Sequence, residues 1–145
     1  MLAGDLGRTR GRPGVSQRLA LPTPVGEAAV AAAIEEARLR DKELLIVNSQ
    51  REGVLTDASV ASEEDIERVA GSAREAGVKA TVLRPTHRDD LTEAILELAE
   101  EHDVALIVIG LRQRTQVGKF IMGSHAQRIL LQADRPVLAV KAPPR

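Results

Sequence analysis

Apolar residues along the chain follow two alternating spacings, one typical of amphipathic helices and one typical of buried strands. Where they recur three or four positions apart, they predict helices that bury one face. These stripes are Val30, Ala33, Ile34 and Ala37; Ile66, Val69, Ala70 and Ala73; and Leu91, Ile95 and Leu98. Short apolar runs at 43–49, 78–83, 104–109 and 136–140 predict strands, and the run at 43–49 is typical of a strand that is buried on both faces.

Polar residues and glycines predict where the helices begin and end. Thr23–Pro24 can start the first helix, and Ser62 is typical of the start of the second. Gly77 is placed to end that second helix in the left-handed conformation. Asp89–Asp90 would open the third helix, because acids are favoured at the positive end of the helix dipole. A last helix is predicted over Ser124–Leu131.

The predicted elements follow the order helix, strand, helix, strand, helix, strand, loop, helix, strand. Such regular alternation predicts an α/β fold with parallel strands joined by right-handed crossovers. We expect a single doubly wound, parallel, five-stranded sheet with helices on both faces. The fifth strand would have to precede Thr23, and Val15–Leu21 is the candidate. This first strand is predicted to be weak or degraded, because Gln17 and Arg18 would lie in a central, buried position.

The first 20 residues lack a regular apolar period, because glycines at 4, 7, 11 and 14 and a proline at 13 interrupt them. We therefore predict a disordered or atypical N-terminal tail at 1–20 and one domain at 21–145. The arginines of this segment also suit a transit peptide, but the amphipathic helix of such peptides is missing. The alternative is that the segment reflects a misplaced start of the reading frame.

Composition and charge exclude several classes of protein. The chain has 145 residues, with 20 basic and 21 acidic side chains and a formal net charge of −1. This is not the basic footprint of a nucleic-acid-binding protein, and Phe120 is the one aromatic residue on which a base could stack. Cysteine is absent, which excludes disulfides. No apolar run reaches the ~18 residues of a membrane span, so we expect a cytoplasmic protein that binds neither nucleic acid nor membrane.

Charge is unevenly distributed in the second half of the chain. Residues 89–103 contain seven acids and no Lys or Arg, whereas residues 111–133 contain four basic residues and no acid. Charge runs are usually solvated faces, and that is one interpretation. The other is that the basic stretch handles an anion.

The loop after the most apolar strand, 104–109, is where a ligand would bind. In open parallel sheets, ligands bind beyond the carboxyl ends of strands, where the chain order reverses. Gly110 and Gly123 of this loop can adopt positive φ and allow close approach of the backbone. Ser124 and Gln127 have the spacing of a capping box at a helix start, which offers free N–H groups to an anion. The loop also carries Arg112, Arg114 and Lys119.

The stretch Asp103–Lys141 resembles the C-terminal third of universal stress proteins of the UspA type. Their nucleotide-binding members carry glycine, two residues, glycine, nine residues, glycine, and then serine or threonine. The corresponding residues here are Gly110, Gln113, Gly123 and Ser124, so the spacing is kept and the second glycine is replaced. The adjoining AQRILLQADRPVLAVK resembles the family's last helix and strand, and similarity of pattern extends back to the first predicted helix.

The resemblance implies an adenine nucleotide alpha hydrolase-like fold that binds ATP, and it leaves the role of Mg²⁺ open. The phosphates would lie on the backbone of 110–124 and on Ser124, and adenine would lie near Asn48. The implied nucleotide-binding residues are Gly110, Arg112, Gln113, Gly123, Ser124, His125 and Asn48. The resemblance also implies a role in the stress response and a homodimer built partly from the last strand, whose edge would otherwise be exposed.

Two departures from the family pattern favour an alternative function on the same fold. Gln113 places a side chain where the backbone would pass close to phosphate, and Leu21–Pro24 lacks the acid that family members carry after the first strand. The alternative is a dimeric regulatory or interaction module that binds no nucleotide. We expect no enzyme, because no base is identified for Ser124, the three histidines lack metal-ligand spacing, and no residue supports a slow ATPase. Gly118–Lys119 does not complete a P-loop.

Overall fold

The computed structural model describes residues 18–22, 26–52, 61–88, 90–114, 119–121 and 123–141. Of the tail predicted at 1–20, the last three residues are described, and they begin the first strand. The predicted helix start at Thr23–Pro24 and the acid Asp89 lie outside the described residues.

Within the described ranges the chain forms eight strands and four helices. The strands are β1 (Arg18–Pro22), β2 (Glu43–Val47), β3 (Gln50–Arg51), β4 (Ala80–Leu83), β5 (Thr86–His87), β6 (Val104–Arg114), β7 (Lys119–Ile121) and β8 (Val137–Lys141). The helices are α1 (Glu27–Arg40), α2 (Glu63–Glu75), α3 (Leu91–Glu101) and α4 (Ser124–Gln132). Each apolar run predicted as a strand coincides with one: β2 and β4 lie within their runs, whereas β6 and β8 extend beyond theirs.

Five strands form a parallel sheet in the order β4-β2-β1-β6-β8. β1 is central, with Leu19 opposite Leu44 of β2 on one side and Leu106 of β6 on the other. The chain runs outward from β1 to β4 in one direction and from β6 to β8 in the other, which confirms the doubly wound parallel sheet. β7 adds an antiparallel partner at the far end of β6, and β3 and β5 form a separate two-stranded parallel ribbon.

Apolar side chains form one layer on each face of the sheet, and each layer lies under two helices. α1 and α2 cover one face, where the predicted stripe of α2 is buried together with Ala33 and Ala37 of α1. α3 and α4 cover the other face through Ile95, Leu98 and Ile129. Burying these apolar faces on both sides of one sheet stabilises the fold and fixes which helices share a face.

The helix ends agree with the sequence predictions for α2 and α3 and differ for α1. Ser62 caps α2 and Asp90 caps α3, each by accepting a hydrogen bond from the N–H three residues later. Gly77 follows α2 with a φ of 78°, as predicted. α1 begins later than predicted, at Glu27, because the Gly26 carbonyl accepts the first helical hydrogen bonds.

The polar residue expected to disturb the first strand lies at its end and is well paired. Nε of Arg18 donates to Oε2 of the buried Glu43 at 3.0 Å, and Nη1 lies 3.1 Å from Nδ1 of His102. Glu43 also accepts a hydrogen bond from Oγ1 of Thr81, so its carboxylate joins β1, β2 and β4. β1 therefore pairs on both sides, with an irregular register only between Arg18 and Leu19 against β6.

Candidate functional site

The ligand-binding edge of the sheet is set by the point where the chain order reverses. β1 continues through α1 towards β2 on one side, and β6 continues through α4 towards β8 on the other. A crevice is expected beyond the carboxyl ends of these two strands. α1 and α4 both begin at this edge, on opposite faces of the sheet.

The start of α4 is an exposed turn with open space beside it. Gly123 is the N-cap, with φ of −63° and ψ of 158°, and a Cβ added there would meet no atom of the described residues within 4 Å. Ser124 is the first helical residue, and the Gly123 carbonyl accepts from the Gln127 N–H at 3.0 Å. The predicted capping box of Ser124 and Gln127 is therefore wrong. Because glycine occupies the cap, no side chain from the cap position covers the first N–H groups of α4.

The electrostatics of this helix start favour an anion. α4 has no acid in its first turn, whereas α1, α2 and α3 each have at least one. The unpaired N–H groups at a helix start are equivalent to roughly half a positive charge. A phosphate or carboxylate placed there would accept hydrogen bonds from the backbone and gain from the dipole.

An ion pair between α3 and α4 fixes the position of the α4 start. Nη1 and Nη2 of Arg128 donate to the two carboxylate oxygens of Asp90, at 3.0 and 2.5 Å. Hydrogen bonds from Arg128 and from the Glu93 N–H lower the pKa of Asp90, and the same pairing raises the pKa of Arg128. The sequence indicated Asp90 as a helix start but carried no signal for a partner 38 positions away.

A second side-chain contact joins the same two helices. Nδ1 of His125, in the first turn of α4, lies 3.2 Å from Oγ1 of Thr92 in α3. Thr92 is fully buried and His125 is exposed. His125 is one of the predicted site residues, and it does lie beside Ser124 at this edge. Thr92 was not predicted, because a threonine next to an apolar stripe carries no distinctive sequence signal.

Gly110 is required for packing rather than for an unusual backbone conformation. A Cβ added to it would lie 3.2 Å from Cβ of Ala29 and 3.8 Å from the Gly26 nitrogen, so the first turn of α1 rests directly on this glycine. Gly110 and Gly123 do not use the positive φ that glycine permits, but the close approach expected of Gly110 is present. Among the described glycines, positive φ is found at Gly77.

The loop predicted after Gly110 is in part a β-hairpin. β6 continues to Arg114 and pairs with β7, with Gln113 opposite Phe120 and Arg114 opposite Lys119. The described part of the chain does not include the side chains of Arg112, Gln113 and the β7 residues. It also does not include any atoms of residues 115–118 and 122. The pairing engages backbone groups of 112–114 and 119–121, so the helix start at Gly123 and Ser124 is the better placed source of unpaired amides.

Asn48 lies at the same edge of the sheet, at the carboxyl end of β2. It is buried, its Nδ2 donates to the Ala61 carbonyl at 3.1 Å, and its Oδ1 accepts from the Ala61 N–H at 3.0 Å. The side chain thus fixes the chain just before α2. Strands lie about 4.8 Å apart, so one ligand would have to pass over β1 to reach both Asn48 and the end of β6. Contact with adenine stays a prediction.

Ser49 and His87, which the sequence did not single out, connect the two short strands β3 and β5 that follow β2 and β4. Oγ of the buried Ser49 lies 2.8 Å from Nδ1 of His87 and 3.3 Å from the Pro85 carbonyl oxygen. These contacts hold the ribbon of β3 and β5 beside Asn48. Because Ser49 is buried, this pair is suited to fixing the wall of the crevice rather than to attacking a ligand.

The described residues contain no group of three or more His, Asp or Glu side chains placed to hold a metal ion. None of the helices in the described ranges is long and apolar enough to span a membrane.

The fold defines the chain as a doubly wound α/β domain whose strand order reverses between β1 and β6. Residues 17–141 match the universal stress protein family. A universal stress protein of Mycolicibacterium smegmatis is 41% identical over 118 residues, covering 81% of this chain and 90% of the relative. The chain belongs to the universal stress protein family, as the resemblance of its C-terminal third indicated.

Solved structures agree with this assignment. A universal stress protein from Archaeoglobus fulgidus superposes with a TM-score of 0.74 at 27% identity, covering 86% of this chain and 98% of that one. A universal stress protein structure from the same organism in complex with dAMP has a TM-score of 0.66 at 24% identity, covering 88% and 99% of the two chains. The second likeness shows the fold alone.

Proposed function

We propose that this chain binds ATP or a related adenine nucleotide at the carboxyl edge of the sheet and serves in the stress response. The observation that carries the proposal is the start of α4, where an acid-free helix turn begins at a glycine with open space beside it. That turn follows β6 at the reversal point, where doubly wound folds bind their ligands. The Archaeoglobus fulgidus structure solved with dAMP is consistent with a nucleotide ligand on this fold.

The residues of this edge suit a phosphate group. The Gly123 and Ser124 amides and the Ser124 hydroxyl would bind phosphate oxygens, and the missing Cβ of Gly123 would let them approach closely. His125 would lie at the rim of the phosphate site, Gly110 would form its floor under α1, and Asn48 would line the adenine end. Arg112 and Gln113 belong to the hairpin beside this turn.

Equilibrium binding of labelled ATP tests the proposal. We expect micromolar binding that is lost in Gly123→Val, because the new side chain would occupy the space proposed for the phosphate, where a Cβ meets no described atom within 4 Å. Ser124→Ala should weaken binding about three- to tenfold, the effect of one hydrogen bond. Gly71→Ala and Ser72→Ala in α2 are matched controls, since Gly71 also has open space at its Cβ position. Absence of binding at millimolar ATP would reject the proposal.

The second candidate is a dimeric regulatory or interaction module that binds no nucleotide. Two observations favour it. Gln113 lies in a β-strand opposite Phe120, at the position where nucleotide-binding family members carry a glycine. In addition, Leu21–Pro24 contains no acid. In either case we propose a homodimer that pairs through β8, an edge strand whose described partner is β6. A strand at the edge of a sheet favours association with a second strand.

We propose a cytoplasmic binding module that is neither an enzyme nor a nucleic-acid-binding protein. Ser124 is exposed at a helix start, and the hydrogen bond of its neighbour His125 goes to Thr92, so among the described residues no base is seen to activate the serine. The near-balanced charge gives no basic face for nucleic acid. Phosphate release from ATP should equal the protein-free rate, and release that depends on Ser124 would contradict the binding-module proposal.

A further inference from the structure

The buried hydroxyl of Thr92 constrains which ring nitrogen of His125 accepts a hydrogen bond. Thr92 has no exposed surface, and its Oγ1 lies 3.2 Å from Nδ1 of His125. A buried hydroxyl proton without an acceptor destabilises a protein, whereas a neutral imidazole offers one nitrogen as an acceptor. The arrangement that satisfies the hydroxyl has Thr92 donating to Nδ1, and the imidazole proton must then sit on Nε2.

The opposite nitrogen of this ring is available to a ligand. His125 is exposed, and Nε2 lies on the side of the ring away from the bonded Nδ1. A proton on Nε2 makes that nitrogen a hydrogen-bond donor on a residue of the first turn of α4. The nearby charges on these two helices, Asp90 and Arg128, neutralise each other in a bidentate pair.

We propose that Thr92 is a positioning residue that holds His125 in the Nε2–H tautomer, so that this N–H donates to a phosphate oxygen at the start of α4. The inference rests on the proposed nucleotide site and adds a residue from a different helix to it. The ligand group would be a phosphate bound at the Gly123–Ser124 turn, such as the phosphate nearest the nucleoside. Thr92 acts through His125 and does not contact the ligand itself.

Three variants test this inference by two measurements. Thr92→Val keeps the shape of the side chain but removes the hydroxyl, Thr92→Ser restores the hydroxyl, and His125→Gln removes the ring. Nitrogen NMR of the ring at about pH 8, where an ordinary histidine is neutral, should report the Nε2–H tautomer in the wild type. Thr92→Val should give a mixture of tautomers, and Thr92→Ser should return the wild-type signal.

Binding of AMP supplies the second measurement. Thr92→Val and His125→Gln should each weaken binding about three- to tenfold, and Thr92→Ser should bind like the wild type. The double variant should be no weaker than His125→Gln alone, because Thr92 acts through that ring. Full additivity of the two losses, or wild-type binding by Thr92→Val, would overturn the inference.

The failure of the inference can be told apart from the failure of the proposed function. If AMP binds and Thr92→Val changes neither affinity nor tautomer, the nucleotide site stands and the role of Thr92 falls. If the wild type binds neither AMP nor ATP, the proposed function and the phosphate contact both fail. In that case a tautomer shift in Thr92→Val would still support the Thr92–His125 link, and an unchanged ring signal would reject it.

Discussion

Glycine serves a different purpose at each of three positions in this chain. Gly77 adopts a φ of 78° that other residues rarely tolerate. Gly110 is needed because Ala29 leaves little room for a side chain, at 3.2 Å from the added Cβ. Gly123 has an ordinary conformation and open space, so the protein alone does not require a glycine there. Because the fold does not need a glycine at position 123, the missing side chain can instead leave room for a ligand.

Gly110→Ala should therefore lower the free energy of unfolding, by about 1–3 kcal/mol, because the new methyl group overpacks the contact with α1. Chemical denaturation measures this loss. The cost should shrink in an Ala29→Gly background, which removes the opposing Cβ. Gly123→Ser is the matched control and should leave the stability near that of the wild type, because serine suits a helix N-cap at least as well as glycine. Equal stability losses at Gly110 and Gly123 would contradict this distinction.

At the scale of elements, the amino ends of three strands are joined by one buried carboxylate. Burial acts to raise the pKa of Glu43, but hydrogen bonds from Thr81 and Arg18 outweigh it and hold the pKa below its ordinary value of 4.5. A carboxylate whose pKa is lower in the folded state stabilises the fold above its unfolded pKa. That contribution is lost as the pH falls through the folded pKa.

Glu43→Gln should reduce the stability at pH 7 by about 2 kcal/mol, since hydrogen bonds to a charged group are lost. It should also flatten the decline in stability below about pH 4.5, because the variant has no carboxylate to protonate there. Thermal unfolding between pH 3 and 7 measures both effects. Glu35→Gln, at an exposed ion pair with Arg38, should change the stability at pH 7 little. A variant curve parallel to that of the wild type would refute the role of Glu43.

Sequence patterns predicted the elements that bury an apolar face, because burial of that face repeats with the period of the helix or strand. The stripe over 66–73 and the run at 104–109 are examples, and both lie in the core as expected. The hairpin of β6 and β7 was not predicted, since it has no such period. The pairs Arg128–Asp90 and Thr92–His125 join residues 38 and 33 positions apart, which no local spacing reveals. At the candidate site, the sequence predicted that the last helix begins at Ser124, as observed, but misassigned its cap to Ser124 instead of Gly123.

At the scale of the whole molecule, the sheet has two edges, β4 and β8, and they differ in their chain neighbours. β4 leads directly into β5, which pairs with β3 beside it. β8 comes after α4, and its far side faces no described strand. A dimer through β8 would place the α4 helices of both copies near the shared edge, whereas pairing through β4 would not.

Ala139→Pro should convert the proposed dimer to a monomer. The Ile107 N–H donates to the Pro136 carbonyl, so the period of two along β8 directs the N–H groups of Val137 and Ala139 away from β6. Proline at an outward position removes a donor to a second strand while sparing the pairing with β6. Light scattering after gel filtration gives the mass directly. Val82→Pro on β4 is the matched control and should stay dimeric, because the bond from Leu44 N–H to the Lys79 carbonyl likewise directs Val82 outward. A dimeric Ala139→Pro, or a monomeric wild type, would rule out pairing through β8.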